Sequence, residues 1–328
     1  MDSLPTISIL IPVYNVEQYV KRCILSVMAQ TYTGKMECIV VDDCGTDKSM
    51  AVVEQLIVNY HGNIRFYILR HTHNRGLAAA RNTAVEAATG DFIVHIDSDD
   101  WVEPTIVEEL VRTQQETSAD IVSCSAIVHL ASKDVIMEEP NYSSKEEMMH
   151  NIIRFTLDHV IWRRLIRTSL YKENCIMAYE GVNIGEDYYT LPRLLFYADS
   201  FAKCNAALYH YNCINEHSYM QSIKKQSFNS IRYKNDIESI NILVNFFKQE
   251  DDSYLADLYR LKAWVVYWQF YPVIQLRNND AYQQVCSDWR TIAIRYKIKP
   301  ILVGLYHFPA FLCEEVKRFC EWMSRSKE

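Results

Sequence analysis

The chain has 328 residues, of which 49% are hydrophobic and 23% charged, so it can bury one large core or form a domain with an appendage. Its formal net charge of −7 argues against nucleic acid as a general partner, because phosphate binding needs a basic face. The ten cysteines form no Cys-x-x-Cys pair and the first residues lack the pattern of a signal peptide, so we expect reduced, mostly buried thiols in a cytoplasmic protein.

The N-terminal part of the chain predicts strands that alternate with helices. The apolar, β-branched run Ile7–Val13 is typical of a strand buried on both faces of a parallel sheet, and apolar residues in 16–30 recur at helical spacing. The same pattern predicts further strands at 38–41 and 64–69 and further helices at 49–60 and 77–88. Such alternation forms right-handed βαβ units, so the loops after the strands meet at one edge of the sheet, where open α/β sheets bind ligands.

The stretch Phe92–Asp100 carries the strongest chemical signal. It is a short apolar strand followed by a turn that contains Asp97, Asp99 and Asp100. Carboxylates that are buried together need a counter-charge, and Mg²⁺ or Mn²⁺ binds one or two carboxylates and completes its shell with water and a diphosphate. For this motif alone, the alternative is a solvated acidic turn before the helix that follows Pro104.

The second half of the chain has a less regular pattern. We predict a strand at 121–130, a polar loop at 131–144, a helix at 145–159 and a strand at 206–211. A glycine-flanked acidic turn at 180–187 precedes an apolar helix that reaches Tyr197. From residue 227 onward the chain predicts long amphipathic helices rich in Tyr, Trp and Phe, so we divide it into a catalytic domain, 1–226, and a helical region, 227–328.

Taken in order, these motifs resemble the family 2 inverting glycosyltransferases, which have the GT-A nucleotide-sugar fold. The matching pieces are Ile9–Asn15, Gln30–Tyr32, Val40–Asp43, Asn74–Asn82, Asp97–Asp100, Trp162–Leu165 and Gly185–Asp187. One departure is Cys44-Gly45, where the family usually has Gly-Ser. The resemblance implies an α/β fold with a mostly parallel central sheet flanked by helices, and it leaves the C-terminal helical region unmatched.

The resemblance assigns the nucleotide to residues near the ends of the first two strands. Pro12, Tyr14 and Asp43 would hold the uracil of a UDP-sugar donor, because an aromatic ring can stack on a base and a carboxylate can accept its N3–H. Arg81 is a candidate for contact with the uridine or the diphosphate. The structural alternatives are a core tyrosine for Tyr14, a capping turn for Asp43 and a surface ion pair for Arg81.

The resemblance also assigns the metal and the catalytic groups. Asp99 is the implied direct ligand of Mn²⁺ or Mg²⁺, Asp97 is a second candidate ligand, and both Asp97 and Ser98 are assigned to the donor. Asp187 is the implied general base, which takes the proton of the acceptor hydroxyl as that oxygen attacks the anomeric carbon, and Glu186 supports the acceptor or the base. A plain helix N-terminus, where acidic residues are favoured, is the alternative for Glu186 and Asp187.

These implications predict a metal-dependent inverting glycosyltransferase. It would move a sugar from a UDP-sugar to a saccharide or lipid-linked saccharide hydroxyl in capsular, O-antigen or exopolysaccharide biosynthesis. The alternatives are a nucleotidyltransferase, although Pro12–Asn15 is not a Gly-rich phosphate loop, and an inactive nucleotide-sugar-binding scaffold. The apolar run Ile301–Leu312 is too short to span a bilayer and has lysines nearby, so it predicts either a segment at the inner face of the cytoplasmic membrane or packing against the protein.

Overall fold

The computed structural model describes residues 4–215, 230–275 and 279–299. The chain forms two compact units, 1–218 and 219–328, and their junction lies in the segment 216–229, outside the described residues. The boundary predicted between residues 226 and 227 lies in the same segment, so the predicted domain limits stay a prediction.

The first half of unit one is a parallel sheet. Its strands are β1 (Ile7–Val13), β2 (Met36–Asp42), β3 (Ile64–Arg70) and β4 (Phe92–His95), in the spatial order β3-β2-β1-β4. Helices α1 (Val20–Met28), α2 (Ser49–Val58) and α3 (Leu77–Ala87) connect them. The strand order reverses between β1 and β4, and such a reversal opens a crevice at the carboxyl ends of the strands.

Beyond β4 the sheet is mixed. Strand β8 (Arg164–Arg167) runs antiparallel between β4 and β6 (Ile121–His129), and β6 pairs in parallel with β9 (Phe201–Asn212). Strand β5 (Trp101–Val102) pairs antiparallel with β9, and strand β7 (Asp134–Met137) pairs antiparallel with β6. The predicted α/β class is confirmed. The loop predicted at 131–144 contains β7, whose residues are mostly exposed and therefore lack the buried apolar pattern of the inner strands.

The described part of unit one has four more helices: α4 (Ile106–Thr117), α5 (Lys145–Ile153), α6 (Thr168–Lys172) and α7 (Glu186–Tyr197). The hydrophobic core lies between the sheet and its helices, and Ile24 of α1 and Leu110 of α4 are fully buried in it. Helix α7 starts after Gly185, whose left-handed φ of 78° suits glycine, and Pro192 lies inside the helix. Glu186 and Asp187 therefore occupy the first turn of α7.

Unit two is helical in its described part. Helices α8 (Ser230–Glu250), α9 (Leu255–Gln275) and α10 (Asn279–Arg290) are present, with a 3₁₀ turn at Asp252–Tyr254. A small core includes Tyr233, Ala263 and Val285. No helix in the described part of the chain is long and apolar enough to cross a membrane. The run Ile301–Leu312 lies outside the described residues.

Candidate active site

The loops after β1 and β2 are tied together at the edge of the sheet. Asn15 Oδ1 accepts a hydrogen bond from the Thr46 amide at 2.7 Å, and the Val16 amide donates to Ser49 Oγ at 2.8 Å. Pro12 is buried inside β1, whereas Tyr14, just past the end of the strand, is 47% exposed. An exposed aromatic ring above a rigid pair of loops can stack on a planar ligand.

Asp43 is buried and its carboxylate shapes the turn after β3. Oδ1 accepts from the Arg75 amide at 2.9 Å and contacts His71 Nδ1 at 2.6 Å, and Oδ2 accepts from the Gly76 amide at 2.8 Å. His71 Nε2 in turn lies 2.9 Å from Thr83 Oγ1 on α3. His71 is not among the residues predicted from the sequence, because its role depends on contacts with residues 28 and 12 positions away.

The turn after β4 holds its aspartates in different surroundings. Asp99 accepts a hydrogen bond from Asn215 Nδ2 at 2.9 Å, and Ser98 is buried. Asp100 accepts from Tyr209 OH and from the Asn212 amide, each at 2.8 Å, so it fastens the turn to β9. Burial, and then the nearby Asp97, raise the pKa of Asp99 above its ordinary value.

Arg81 gathers carboxylates from two other parts of the chain. Its Nη2 donates to Asp97 Oδ1 at 3.0 Å and lies 3.3 Å from Glu186 Oε1 and 3.8 Å from Asp187 Oδ1. The Arg81 side chain is 4% exposed. The structure therefore brings together the predicted residues of α3, the turn after β4 and the first turn of α7.

The electrostatics of this cluster favour a basic Asp187. Burial raises the pKa of Asp187 well above its ordinary value, and Glu186 and Asp97 raise it further against the opposing effect of Arg81. Burial would lower the pKa of Arg81, but the carboxylates of Asp97, Asp187 and Glu186 raise it above its ordinary value, so the guanidinium stays charged. A carboxylate with a raised pKa accepts a proton more readily from an attacking hydroxyl.

Part of the hydrogen-bonding capacity of this cluster is unused. Among the described residues, the buried atoms Nε and Nη1 of Arg81 and Oδ1 of Asp187 have no hydrogen-bond partner. Orphaned buried polar atoms are uncommon in folded proteins, and one reason for them is a site that takes a ligand.

The turn after β4 offers hard oxygen donors for a cation. Asp97 accepts a hydrogen bond from Arg81 through one oxygen, and Asp99 accepts one from Asn215 through one oxygen. The second oxygen of each carboxylate takes no part in these two hydrogen bonds. In the described part of the chain, no three His, Cys, Asp or Glu side chains converge as a purely protein metal cage requires. The donor set thus fits Mg²⁺ or Mn²⁺ that takes one or two carboxylates and completes its shell elsewhere.

Two adjacent arginines at the start of β8 form ion pairs inside the protein. Arg163 and Arg164 are buried, and both pair with the buried Glu139, Nη1 to carboxylate oxygen, at 2.7 Å and 3.3 Å. Both also pair with Asp158. These arginines therefore neutralise the carboxylates of Glu139 and Asp158.

Two histidines form a line with two carboxylates beside β5. His129 Nδ1 lies 2.9 Å from Asp134 Oδ1, His129 Nε2 lies 3.0 Å from His210 Nδ1, and His210 Nε2 lies 2.8 Å from Glu103 Oε1. Both imidazoles stack on Trp101, at centroid distances of 4.5 Å and 4.9 Å. His210 thus belongs to β9 and to this line of side chains.

The fold is that of the GT-A glycosyltransferases. The structure is similar to that of TarS 1–349 from S. aureus in complex with UDP-GlcNAc, with a TM-score of 0.67 and 20% identity over 89% of this chain and 82% of that chain. It is also similar to the mannosyltransferase PcManGT from Pyrobaculum calidifontis in complex with GDP-Man and Mn²⁺, with a TM-score of 0.56 and 15% identity over 94% and 89% of the chains. At these identities the likeness establishes the fold.

The chain belongs to glycosyl transferase family 2, whose family model matches residues 8–174, just over half of the sequence. Among curated relatives, EpsH of Bacillus subtilis (strain 168) is 30% identical over 234 residues, which cover 69% of this chain and 66% of EpsH. The match therefore spans just under two thirds of that relative's length. The predicted family, fold and class of enzyme are confirmed.

Proposed function

We propose that this chain transfers a sugar from a UDP-sugar to a hydroxyl of a saccharide or lipid-linked saccharide and inverts the anomeric configuration. The main support is the convergence of Asp97, Glu186 and Asp187 on the buried Arg81. In this cluster the carboxylate of Asp187, the proposed proton acceptor, shares the Arg81 guanidinium with Asp97 of the turn that follows β4. The wider setting we propose is the assembly of capsular, O-antigen or exopolysaccharide chains.

The donor's uridine would lie over the loops that follow β1 and β2. Tyr14 offers an exposed ring for stacking beside the buried Pro12. Asp43 Oδ2 accepts one hydrogen bond, from Gly76, and a carboxylate oxygen has two lone pairs, so it can also accept the uracil N3–H. The complex of TarS 1–349 with UDP-GlcNAc supports a UDP-sugar as the donor.

The diphosphate would lie near the turn after β4. Asp99 and Asp97 would hold Mn²⁺ or Mg²⁺ there, and the bound ion would neutralise the charge that builds on the leaving UDP. Ser98 adds a hydroxyl in the same turn, next to both carboxylates in sequence. The PcManGT complex with Mn²⁺ supports a divalent ion in this fold.

The proton of the acceptor hydroxyl would pass to Asp187 as the hydroxyl oxygen attacks the anomeric carbon. Arg81 Nη2 lies 3.8 Å from Asp187 Oδ1, within ion-pair distance but beyond a hydrogen bond, and Glu186 pairs with the same guanidinium. Because burial raises the pKa of Asp187, the carboxylate is a stronger base than an exposed aspartate.

The test is UDP release from a panel of UDP-sugars with Mn²⁺ and saccharide acceptors, together with UDP binding by calorimetry. Asp187→Asn removes basicity but keeps shape, so transfer should fall on the order of 10²–10⁴-fold while UDP affinity hardly changes. Asp99→Ala should abolish metal-dependent UDP binding. Asp280→Asn, an exposed aspartate of α10, is the matched control and should keep wild-type activity.

Near-normal transfer by Asp187→Asn would refute the assignment of the base. UDP that binds equally well to Asp99→Ala, or to the wild-type protein in the presence of a chelator, would refute the metal site. UDP binding without turnover of any donor, in the wild-type protein, would instead favour an inactive nucleotide-sugar-binding scaffold.

We also propose that the C-terminal segment associates with the surface of the cytoplasmic membrane. The support is the sequence alone: the apolar run Ile301–Leu312 is preceded by Lys299 and followed by Lys317 and Arg318. Charge reversal of these three basic residues should abolish flotation of the protein with anionic vesicles while UDP binding persists. Unchanged flotation would contradict this attachment.

A further inference from the structure

The loop that leads to Asp187, residues 177–184, is fastened to helix α3 by Asn82. Asn82 Nδ2 donates to the carbonyl of Ala178 at 2.8 Å, and Asn82 Oδ1 accepts from the amide of Ala178 at 2.7 Å. One side-chain amide therefore satisfies both backbone groups of a residue 96 positions away. Because Arg81 precedes Asn82 on the same helix, this tie and the Arg81 cluster share a rigid support.

A second tie joins the other end of the 177–184 loop to the start of α3. Asn183 Oδ1 accepts a hydrogen bond from the amide of Ala78 at 3.0 Å. Gly76, at φ +89°, makes room for this contact, because a Cβ there would lie 2.4 Å from Asn183 Nδ2. Asn183 thus satisfies an amide of the first turn of α3, which has no side-chain cap at its own N-cap residue.

The same loop is also held from the α7 side. Tyr189 OH accepts from the Tyr179 amide and donates to the Val182 carbonyl, each at 3.0 Å, and Arg193 Nη2 donates to the Met177 carbonyl at 2.9 Å. The 177–184 loop is therefore a strut between α3, which carries Arg81, and α7, which carries Glu186 and Asp187.

We propose that Asn82 and Asn183 are positioning residues that set the distance between Arg81 and the proposed base, Asp187. Without them the 177–184 loop keeps its contacts with α7 but loses its hydrogen bonds to α3, so α7 can shift against Arg81. The inference rests on the proposed function, because it acts through Asp187. A misplacement on the order of 1 Å at a reacting group can reduce turnover by about 10²-fold.

Two measurements on the full chain test the inference. In hydrogen exchange, Asn82→Ala and Asn183→Ala should each accelerate exchange of peptides that cover 177–187. In UDP release with Mn²⁺, each should lower kcat at least about tenfold, equivalent to about 1.4 kcal/mol, while the affinity for UDP changes less than about twofold. The matched control is Asn174→Ala, whose side chain donates only locally, to the carbonyl of Leu170.

A double-mutant cycle separates positioning from general damage. Added to Asp187→Asn, the Asn82→Ala change should cost almost nothing further, because the residue acts through the base that is already removed. A loss that adds fully to that of Asp187→Asn, a matching loss of UDP affinity, or no change in exchange and kcat would overturn the inference. If Asn82→Ala does not fold, Asn183→Ala decides between the same outcomes.

Failure of the proposed function would be recognised separately. If the wild-type protein turned over no UDP-sugar, or if Asp187→Asn were fully active, the proposed chemistry would be wrong. Hydrogen exchange would then still test whether Asn82 and Asn183 hold the 177–184 loop to α3. Unchanged protection of 177–187 in both asparagine variants would show that they do not.

Discussion

Replacing Arg81 by methionine should destabilise unit one strongly, because it leaves Asp97, Glu186 and Asp187 without their shared counter-charge. The guanidinium is 4% exposed and lies between 3.0 Å and 3.8 Å from an oxygen of each carboxylate. Removing one partner of a buried ion pair costs about 3–5 kcal/mol. We expect a loss of that size at pH 7 in urea unfolding monitored by fluorescence, with a chelator present to remove metal ions.

The sign of the pH dependence follows from the carboxylates that remain. Burial already raises the pKa values of Glu186 and Asp187 in the wild-type protein, and Arg81 opposes that rise, so without Arg81 the folded-state pKa values of these two groups rise further. The folded state then binds more protons than the unfolded state, and its stability falls as the pH rises. The destabilisation relative to the wild-type protein should therefore be larger at pH 8 than at pH 5. Arg112→Met, which removes an exposed guanidinium that pairs with Glu109 and Glu116, is the matched control and should cause no measurable loss.

Unfolding of Arg81→Met at the same urea concentration as Arg112→Met would refute the role of Arg81 as the shared counter-charge. A loss of stability that is independent of pH would also refute that role, because a buried carboxylate cluster must respond to protonation.

Three further predictions concern stability. Gly76→Ala should lower the free energy of unfolding in urea by about 1–3 kcal/mol, because alanine would have a positive φ there and its Cβ would clash with Asn183. An unchanged free energy of unfolding would contradict the close contact between Gly76 and Asn183. Burial lowers the pKa of His159 from 6.5 to about 4, so the folded state should lose up to about 3 kcal/mol as the pH falls from 6.5 to 4. His159→Phe should remove this loss of stability at acid pH. An unchanged dependence of stability on pH in that variant would show that His159 is not its cause. Glu139→Gln should lower the melting temperature by several degrees, because it halves the buried charge that Arg163 and Arg164 face, and an unchanged melting temperature would show that Asp158 suffices.

The sequence pattern was sufficient to predict segments whose structure depends mainly on their own residues. The continuous apolar run at Ile7–Val13 is the fully buried strand β1, and the acidic turn at 180–187 leads into helix α7. The run Phe92–Asp100 was harder, because β4 ends at His95 and the chain pairs again at Trp101. The intervening turn owes its shape to Asp100 and Tyr209, residues 109 positions apart.

Long-range partners explain what the sequence could not show. An asparagine in a helix, such as Asn82, shows no sign in its own neighbourhood that its partner is Ala178. The sequence around Arg163 and Arg164 does not identify their partner Glu139, which follows the mostly exposed strand β7. Asp43 suits a nucleotide ligand by its chemistry, but its part in building the turn at 71–76 depends on the partner strand β3.

The line Glu103, His210, His129 and Asp134 implies a fixed number of protons. With both carboxylates ionised, each outer ring nitrogen must carry a hydrogen to make its bond, and the bond between the two rings needs one more. Three hydrogens on four ring nitrogens make the pair a cation, whereas two neutral imidazoles carry only two. Two neutral imidazoles can therefore donate in only two of the three hydrogen bonds that join Glu103, His210, His129 and Asp134.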